Sequence, residues 1–223
     1  MANPQKILAW SYSRWKTYDQ CPRKARYNYI DKLPQPESEA MARGSRIHKM
    51  AEDYLNGKIA KVGADLKHFA AYLKQLKSEG AGPEHELTFT NTWSPTGWFA
   101  KDAWLRIKVD VISLPERSKE LLIVDWKTGK KYDDHIQQCG LYALGGLITP
   151  EAHDAATVRT KLCYTDTGEE VEEVFKRSET ESLRKLWLGK TRAMLNDTKF
   201  APLPSRSCMW CPYSKSKGGP CEF

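Results

Sequence analysis

The stretch Leu121-Leu-Ile-Val-Asp-Trp-Lys-Thr-Gly-Lys130 constrains this chain more than any other. Four consecutive apolar residues inside Glu120–Lys127 read as a strand that ends at Asp125, with Lys127 two residues further on. Strand side chains alternate, so Asp125 and Lys127 point the same way. Asp110 precedes Asp125 by fifteen residues, in the alternating run Arg106-Ile-Lys-Val-Asp-Val-Ile, which reads as a strand over Trp104–Leu114. A hairpin of the two strands brings both carboxylates together. Such a pair repels unless a cation lies between its members, and hard divalent ions such as Mg²⁺ prefer carboxylate oxygen. Lys127 beside that ion is suited to orient or deprotonate a water, or to offset charge on a phosphate. The bland alternative is a strand end with ordinary surface ion pairs.

The remaining pattern is helical first and sheet-like later. Helices are expected over residues 11–20 (capped by Ser11 or Ser13), Pro22–Ile30, Glu39–Asn56 (ended by Gly57) and Asp65–Ser78, with Leu33-Pro-Gln-Pro as a linker. Strands follow at Glu86–Thr92, Gly97–Lys101, Trp104–Leu114 and Glu120–Lys127, with a polar turn over Pro115–Ser118 joining the last two. Asp133–Leu147 returns to helical spacing, and Val158–Tyr164 pairs with Val171–Phe175 around Thr167-Gly168. A final helix spans Ser178–Leu195, opening on a Ser-Glu-Thr-Glu capping box, before a tail rich in Pro, Gly and Cys. This order implies one α/β domain with a central mixed sheet flanked by helices. Its expected parts are a basic helical region at 1–80, a sheet core with the site at 81–177, and a C-terminal helix and tail at 178–223.

The 223 residues are 40% hydrophobic, enough for a core, and carry 35 Lys+Arg against 28 Asp+Glu. No apolar run approaches the roughly 18 residues of a membrane helix, and Met1–Lys6 lacks a signal-type stretch. A cytoplasmic protein without a membrane partner is the expectation. The first 80 residues hold 15 basic and 8 acidic residues, and the rest hold 20 of each, so the whole excess of +7 is N-terminal. It is interleaved with Trp10, Tyr12, Trp15, Tyr18, Tyr27 and Tyr29. Cations on phosphates and rings on bases suit nucleic acid, with Arg14, Lys16, Arg23 and Arg26 as candidate contacts. A solvated basic surface around a partly buried aromatic cluster explains the same pattern.

Of six cysteines, Cys208, Cys211 and Cys221 crowd the last 16 residues as C-x₂-C and, after nine intervening residues, a third. Three thiolates are incomplete for a tetrahedral metal or a cubane cluster. Cys139 and Cys163 fit buried apolar positions. Gly44, His48 and Glu52 fall on one stripe of a helix, and Gln138 and Tyr142 on one face of another.

Asp110, then Val-Asp125-Trp-Lys127-Thr-Gly-Lys, then Gln138-Cys-Gly-Leu-Tyr142 resembles the PD-(D/E)XK nuclease superfamily, in its RecB-like branch. Gly44-Ser-Arg-Ile-His48-Lys-Met-Ala-Glu52 and Tyr12-Ser-Arg-Trp-Lys-Thr-Tyr-Asp-Gln-Cys21-Pro resemble further segments of that branch, in the same order. The nearest likeness is to iron–sulfur members: AddB-type nuclease domains, CRISPR spacer-acquisition nucleases and small phage exonucleases. The resemblance implies His48, Asp110, Asp125 and the Trp126 carbonyl as ligands of Mg²⁺ or Mn²⁺, and Asp110, Asp125 and Lys127 as the catalytic set. Asp125 stands where many relatives have Glu, and Val109-Asp110 where the superfamily name has Pro-Asp. Glu86 matches an acidic position of several relatives, and Gln138 and Tyr142 would support the site or contact DNA. Cys21 would complete a 4Fe–4S cluster with Cys208, Cys211 and Cys221, zinc being the alternative metal. The implied activity is an exonuclease acting on single-stranded DNA or DNA ends in recombination, repair or phage DNA processing. Its setting would be a bacterial or phage-infected cell, and its protein partner a recombination or single-strand-annealing protein. A non-catalytic single-strand-binding protein with a four-cysteine zinc site is the alternative.

Overall fold

Strand β3 (Glu120–Lys127) follows the apolar run to the residue, and the sheet is built around it. The computed structural model describes residues 6–114, 118–132 and 134–223. The expected turn at Pro115, Glu116 and Arg117, and the helix start at Asp133, lie outside the described residues, as do Met1–Gln5. Two compact units appear: Ser38–Lys185, and residues up to Glu37 with Leu186–Phe223.

The larger unit holds a five-stranded mixed sheet in the order β1 (Gly82–Phe89), β2 (Leu105–Ser113), β3, β4 (Thr157–Tyr164) and β5 (Glu170–Lys176). Only β3 and β4 are parallel, and helix α5 (His135–Ile148) makes their crossover. Gly145 and Gly146 let α5 lie close to the sheet, since a Cβ there would stand 2.7 Å from Ile107 and 2.8 Å from Leu121. A second apolar cluster joins α3 (Glu39–Leu55) and α4 (Ala70–Ser78) to the sheet through Ile47, Ala51, Phe69, Leu73, Val124 and Trp126. Cys139 and Cys163 are fully buried. Ser38 caps α3 by accepting the Met41 N–H, and Gly57, at φ 75°, follows its end.

Three expectations are corrected. Gly97–Lys101 forms no strand: the Ala100 N–H returns to the Gly97 carbonyl at 3.0 Å, a turn inside a long β1–β2 loop. Ala64–Phe69 is a 3₁₀ segment ahead of α4 rather than its first turns. Helix α6 (Thr180–Asn196) is entered through a 3₁₀ turn, where Glu179 accepts the Lys176 N–H at 2.6 Å, so Ser178 is not its cap.

The smaller unit contains α1 (Tyr12–Gln20), capped by Ser11, and α2 (Pro22–Tyr29), with Pro22 at its first position. Trp10, Tyr12, Trp15 and Trp187 are buried and pack ring to ring, so the N-terminal aromatics are largely core. Several cations beside them hold backbone. Arg14 donates to the Ala9 carbonyl at 2.6 Å and Arg23 to that of Phe200 at 2.8 Å, while Arg26 pairs with Asp31 at 3.2 Å. Among the described residues no helix is long and apolar enough to cross a membrane.

Candidate active site

The β2–β3 ladder runs from Ser113↔Leu122 to Val111↔Val124, and the site begins where it stops. Asp110 follows on β2, and its Oδ2 accepts the Trp126 N–H at 2.7 Å, a carboxylate standing where a ladder carbonyl would. Its Oδ1 faces His48 Nδ1 of α3 at 2.7 Å. Asp125 and Lys127 project together, with Nζ 2.6 Å from Oδ2. Helix α5 closes the group. Lys127 Nζ donates to Gln138 Oε1 at 2.7 Å, Gln138 Nε2 donates to the Tyr142 hydroxyl, and that hydroxyl donates to Asp125 Oδ1 at 2.6 Å. Four side chains from one strand and one helix thus form a closed ring, which the i, i+4 spacing of Gln138 and Tyr142 makes possible.

Burial raises the Asp110 carboxyl above the usual range; the His48 hydrogen bond opposes this and the Asp125 charge adds to it. Burial favours the neutral His48 ring, yet the hydrogen bond and charge of Asp110 outweigh it, and the His48 pKa is raised. The two groups hold a proton between them. Tyr142 is pushed well above its ordinary value by burial and then by the Asp125 charge, which keeps it a donor.

Asp125 Oδ2 is buried, and the Lys127 ammonium at 2.6 Å is its partner. Two carboxylates with an imidazole beside them are a donor set whose chemistry fits a hard divalent cation. Among the described residues, no three His, Cys, Asp or Glu side chains are already arranged to hold a metal. His48 turns to Asp110 instead. Trp126 is buried, its ring against Phe69 and Tyr72. Glu86 is exposed on β1 opposite Lys108, and among the described residues no hydrogen bond joins it to the carboxylates.

A supporting network had no local sequence signal. Asp166, in the β4–β5 hairpin, binds Arg43 of α3 through both oxygens and also accepts the Gly129 N–H at 2.8 Å. It thereby ties down the turn after Lys127. Gly44 lies beside the same turn, where a Cβ would make an ordinary contact with Thr128 Oγ1 at 3.4 Å.

In the smaller unit Cys21, Cys208, Cys211 and Cys221 line one pocket with Tyr27 and Leu203, and all four thiols are free and half-buried. Cys21 sits between α1 and α2, Cys208 lies in a 3₁₀ turn, and Cys211 ends that turn. Four unpaired thiols around one pocket are a donor set that fits a soft metal centre.

No curated protein matches this sequence. Among solved structures, "Crystal structure of SSO0001" is similar at 16% identity and a TM-score of 0.42, over 100% of this chain and 90% of that one. The family model described as the PD-(D/E)XK nuclease superfamily matches residues 9–107 and 84–216. Those segments leave out only the chain's two ends, and the chain belongs to the PD-(D/E)XK nuclease superfamily.

Proposed function

We propose that this nuclease is a metal-dependent deoxyribonuclease of the RecB-like branch, an exonuclease on DNA ends, with a four-cysteine iron–sulfur centre in its tail. The observation that carries the reading is the Asp125–Lys127–Gln138–Tyr142 ring, with Asp110 and His48 beside it. Asp110 and Asp125 would hold Mg²⁺ or Mn²⁺, with His48 and the Trp126 carbonyl as further ligands. Bound there, the ion supplies Lewis acidity and lowers the pKa of a water. Lys127, held by Gln138, keeps a positive charge beside the scissile phosphate and orients the attacking water. Tyr142 fixes one oxygen of Asp125, and Lys127 pairs with the other. Asp110, anchored on the Trp126 N–H, keeps its carboxylate at the opening between the strands.

The test is cleavage of end-labelled single- and double-stranded oligonucleotides with Mg²⁺ or Mn²⁺, with and without EDTA. Mononucleotide products and inert circular DNA are expected of an exonuclease. Asp110→Ala, Asp125→Ala and Lys127→Ala should each lose about 10²–10³ in rate while still binding DNA. Wild-type rates in any of the three would remove that residue from the catalytic set, and cut circles would make the enzyme an endonuclease.

A further inference from the structure

The β1–β2 loop carries aromatic residues that the core does not use. Phe99 is 90% exposed at its tip, and Trp98 beside it is half-buried. The loop is held in shape. Trp104 N–H bonds to the Phe89 carbonyl at 2.9 Å, Thr96 N–H to that of Thr88 at 2.9 Å, and Thr90 N–H to that of Ser94 at 2.8 Å. At its base Trp93 packs edge-on to Trp104 at 5.2 Å, with the Arg184 guanidinium 5.7 Å from the Trp93 ring. The Gly97–Ala100 turn therefore presents Trp98 and Phe99 from a fixed frame.

Placement and charge say what such a tip would meet. Strand β2 runs antiparallel to β3, so the loop that leads into Leu105 lies at the end of the sheet where β3 delivers Asp125 and Lys127. Asp110 is five strand residues beyond Leu105, about 16 Å. The Arg106 guanidinium lies 5.6 Å from the Trp98 ring, and its buried Nε has no hydrogen-bond partner among the described residues. Lys101 is exposed next to the tip. Exposed rings on a rigid loop, a cation on one ring and a nuclease site at the same sheet end suit unpaired nucleobases on a phosphate backbone.

We infer that Trp98 and Phe99 form a base-stacking element that holds the unpaired strand entering the active site, with Arg106 and Lys101 as its phosphate partners. This rests on the nuclease reading above and assigns residues to the recognition of single-stranded or frayed ends. The test reads binding: fluorescence anisotropy of wild type, Phe99→Ala and Phe99→Trp with a single-stranded oligonucleotide and with a closed hairpin duplex, beside the cleavage assay. Phe99→Ala should weaken single-strand binding about tenfold with little effect on the duplex, and Phe99→Trp should restore it. An abasic substitution at the stacked position should weaken wild type but not Phe99→Ala. Phe99 is exposed, so folding is not at risk, and unchanged melting confirms it. Equal loss on both DNAs, unchanged affinity, or a wild-type dimer that Phe99→Ala dissociates would each overturn the inference. If wild type neither binds nor cuts DNA, the nuclease reading itself has failed; if it does both and Phe99→Ala matches it, only this inference has.

Discussion

Tyr142 illustrates how much a single side chain carries here, because its hydroxyl is both the donor to Asp125 Oδ1 and the acceptor from Gln138. Tyr142→Phe keeps the buried ring and leaves a carboxylate oxygen without a donor. A hydrogen bond to a charged group is worth about 1.5–3 kcal/mol, and in a domain of this size each kcal/mol moves Tm by about 2–4 °C. A fall of roughly 5 °C in scanning calorimetry is expected, with slower cleavage because Gln138 also loses its partner beside Lys127. An unchanged Tm would mean that Asp125 is satisfied by solvent instead. The Asp110–Asp125 pair bears on metal as well. Protein stripped with EDTA should gain thermal stability when Mg²⁺ or Mn²⁺ is restored, since a ligand bound only by the folded state stabilises it. Asp125→Ala should show no such gain, whether or not it cleaves. His48→Ala should respond with a shifted metal requirement, because the two carboxylates remain.

Asp166 acts at the scale of elements, joining α3, the turn after β3 and the β4–β5 hairpin through Arg43 and the Gly129 N–H. Gly129 has φ 85°, a conformation suited to glycine, so the turn is defined by backbone as well as by this anchor. Asp166→Ala should leave the sheet intact and loosen Lys127, lowering kcat about tenfold with less change in KM, since small misplacements at a reacting centre are expensive. The Arg43 hydrogen bond holds the Asp166 carboxyl below its usual value. A depressed folded pKa gives stability that is present above the unfolded value of about 3.9 and is lost as pH falls through the lower folded one. Melts down that acid limb should show a shallower decline for Asp166→Ala than for wild type, and parallel curves would remove Asp166 from the acid response. Which elements were legible follows from where their information sits. Strand β3 was readable because an apolar run bounded by charges fixes both its ends, and the Gln138–Tyr142 face because spacing puts both on one turn. Gly97-Trp-Phe-Ala-Lys has strand-like residues, but its backbone closes a turn, and Phe99 faces outward. Arg43 and Asp166 are 123 residues apart, so no window holds both.

At the scale of the molecule, the chain's ends share one unit: residues before Glu37 pack with those after Leu186. Arg23 holds the Phe200 carbonyl at 2.8 Å and Tyr213 donates to that of Leu33 at 3.2 Å, while Phe200 and Tyr213 are buried. Beyond these anchors the tail has little to hold it: Met209 and Trp210 are 62% and 80% exposed. Cys21 and Cys208 are 187 residues apart, so a centre shared with Cys211 and Cys221 would close nearly the whole chain into a loop. The entropic gain from such a clip grows slowly with loop length and is about 5 kcal/mol here. Soft thiolates serve iron–sulfur clusters and zinc alike, and iron is the metal of the proposal. Protein purified without oxygen should therefore be brown, with broad visible absorbance that bleaches on reduction. Cys21→Ser should lose the colour and become protease-sensitive around Cys208–Trp210, while the Phe200 and Tyr213 anchors keep the rest of the unit folded. A colourless anaerobic preparation with stoichiometric zinc would replace the cluster by a four-cysteine zinc site. Full colour in Cys21→Ser would remove Cys21 from the ligands, and with it the covalent link between the two ends of the chain.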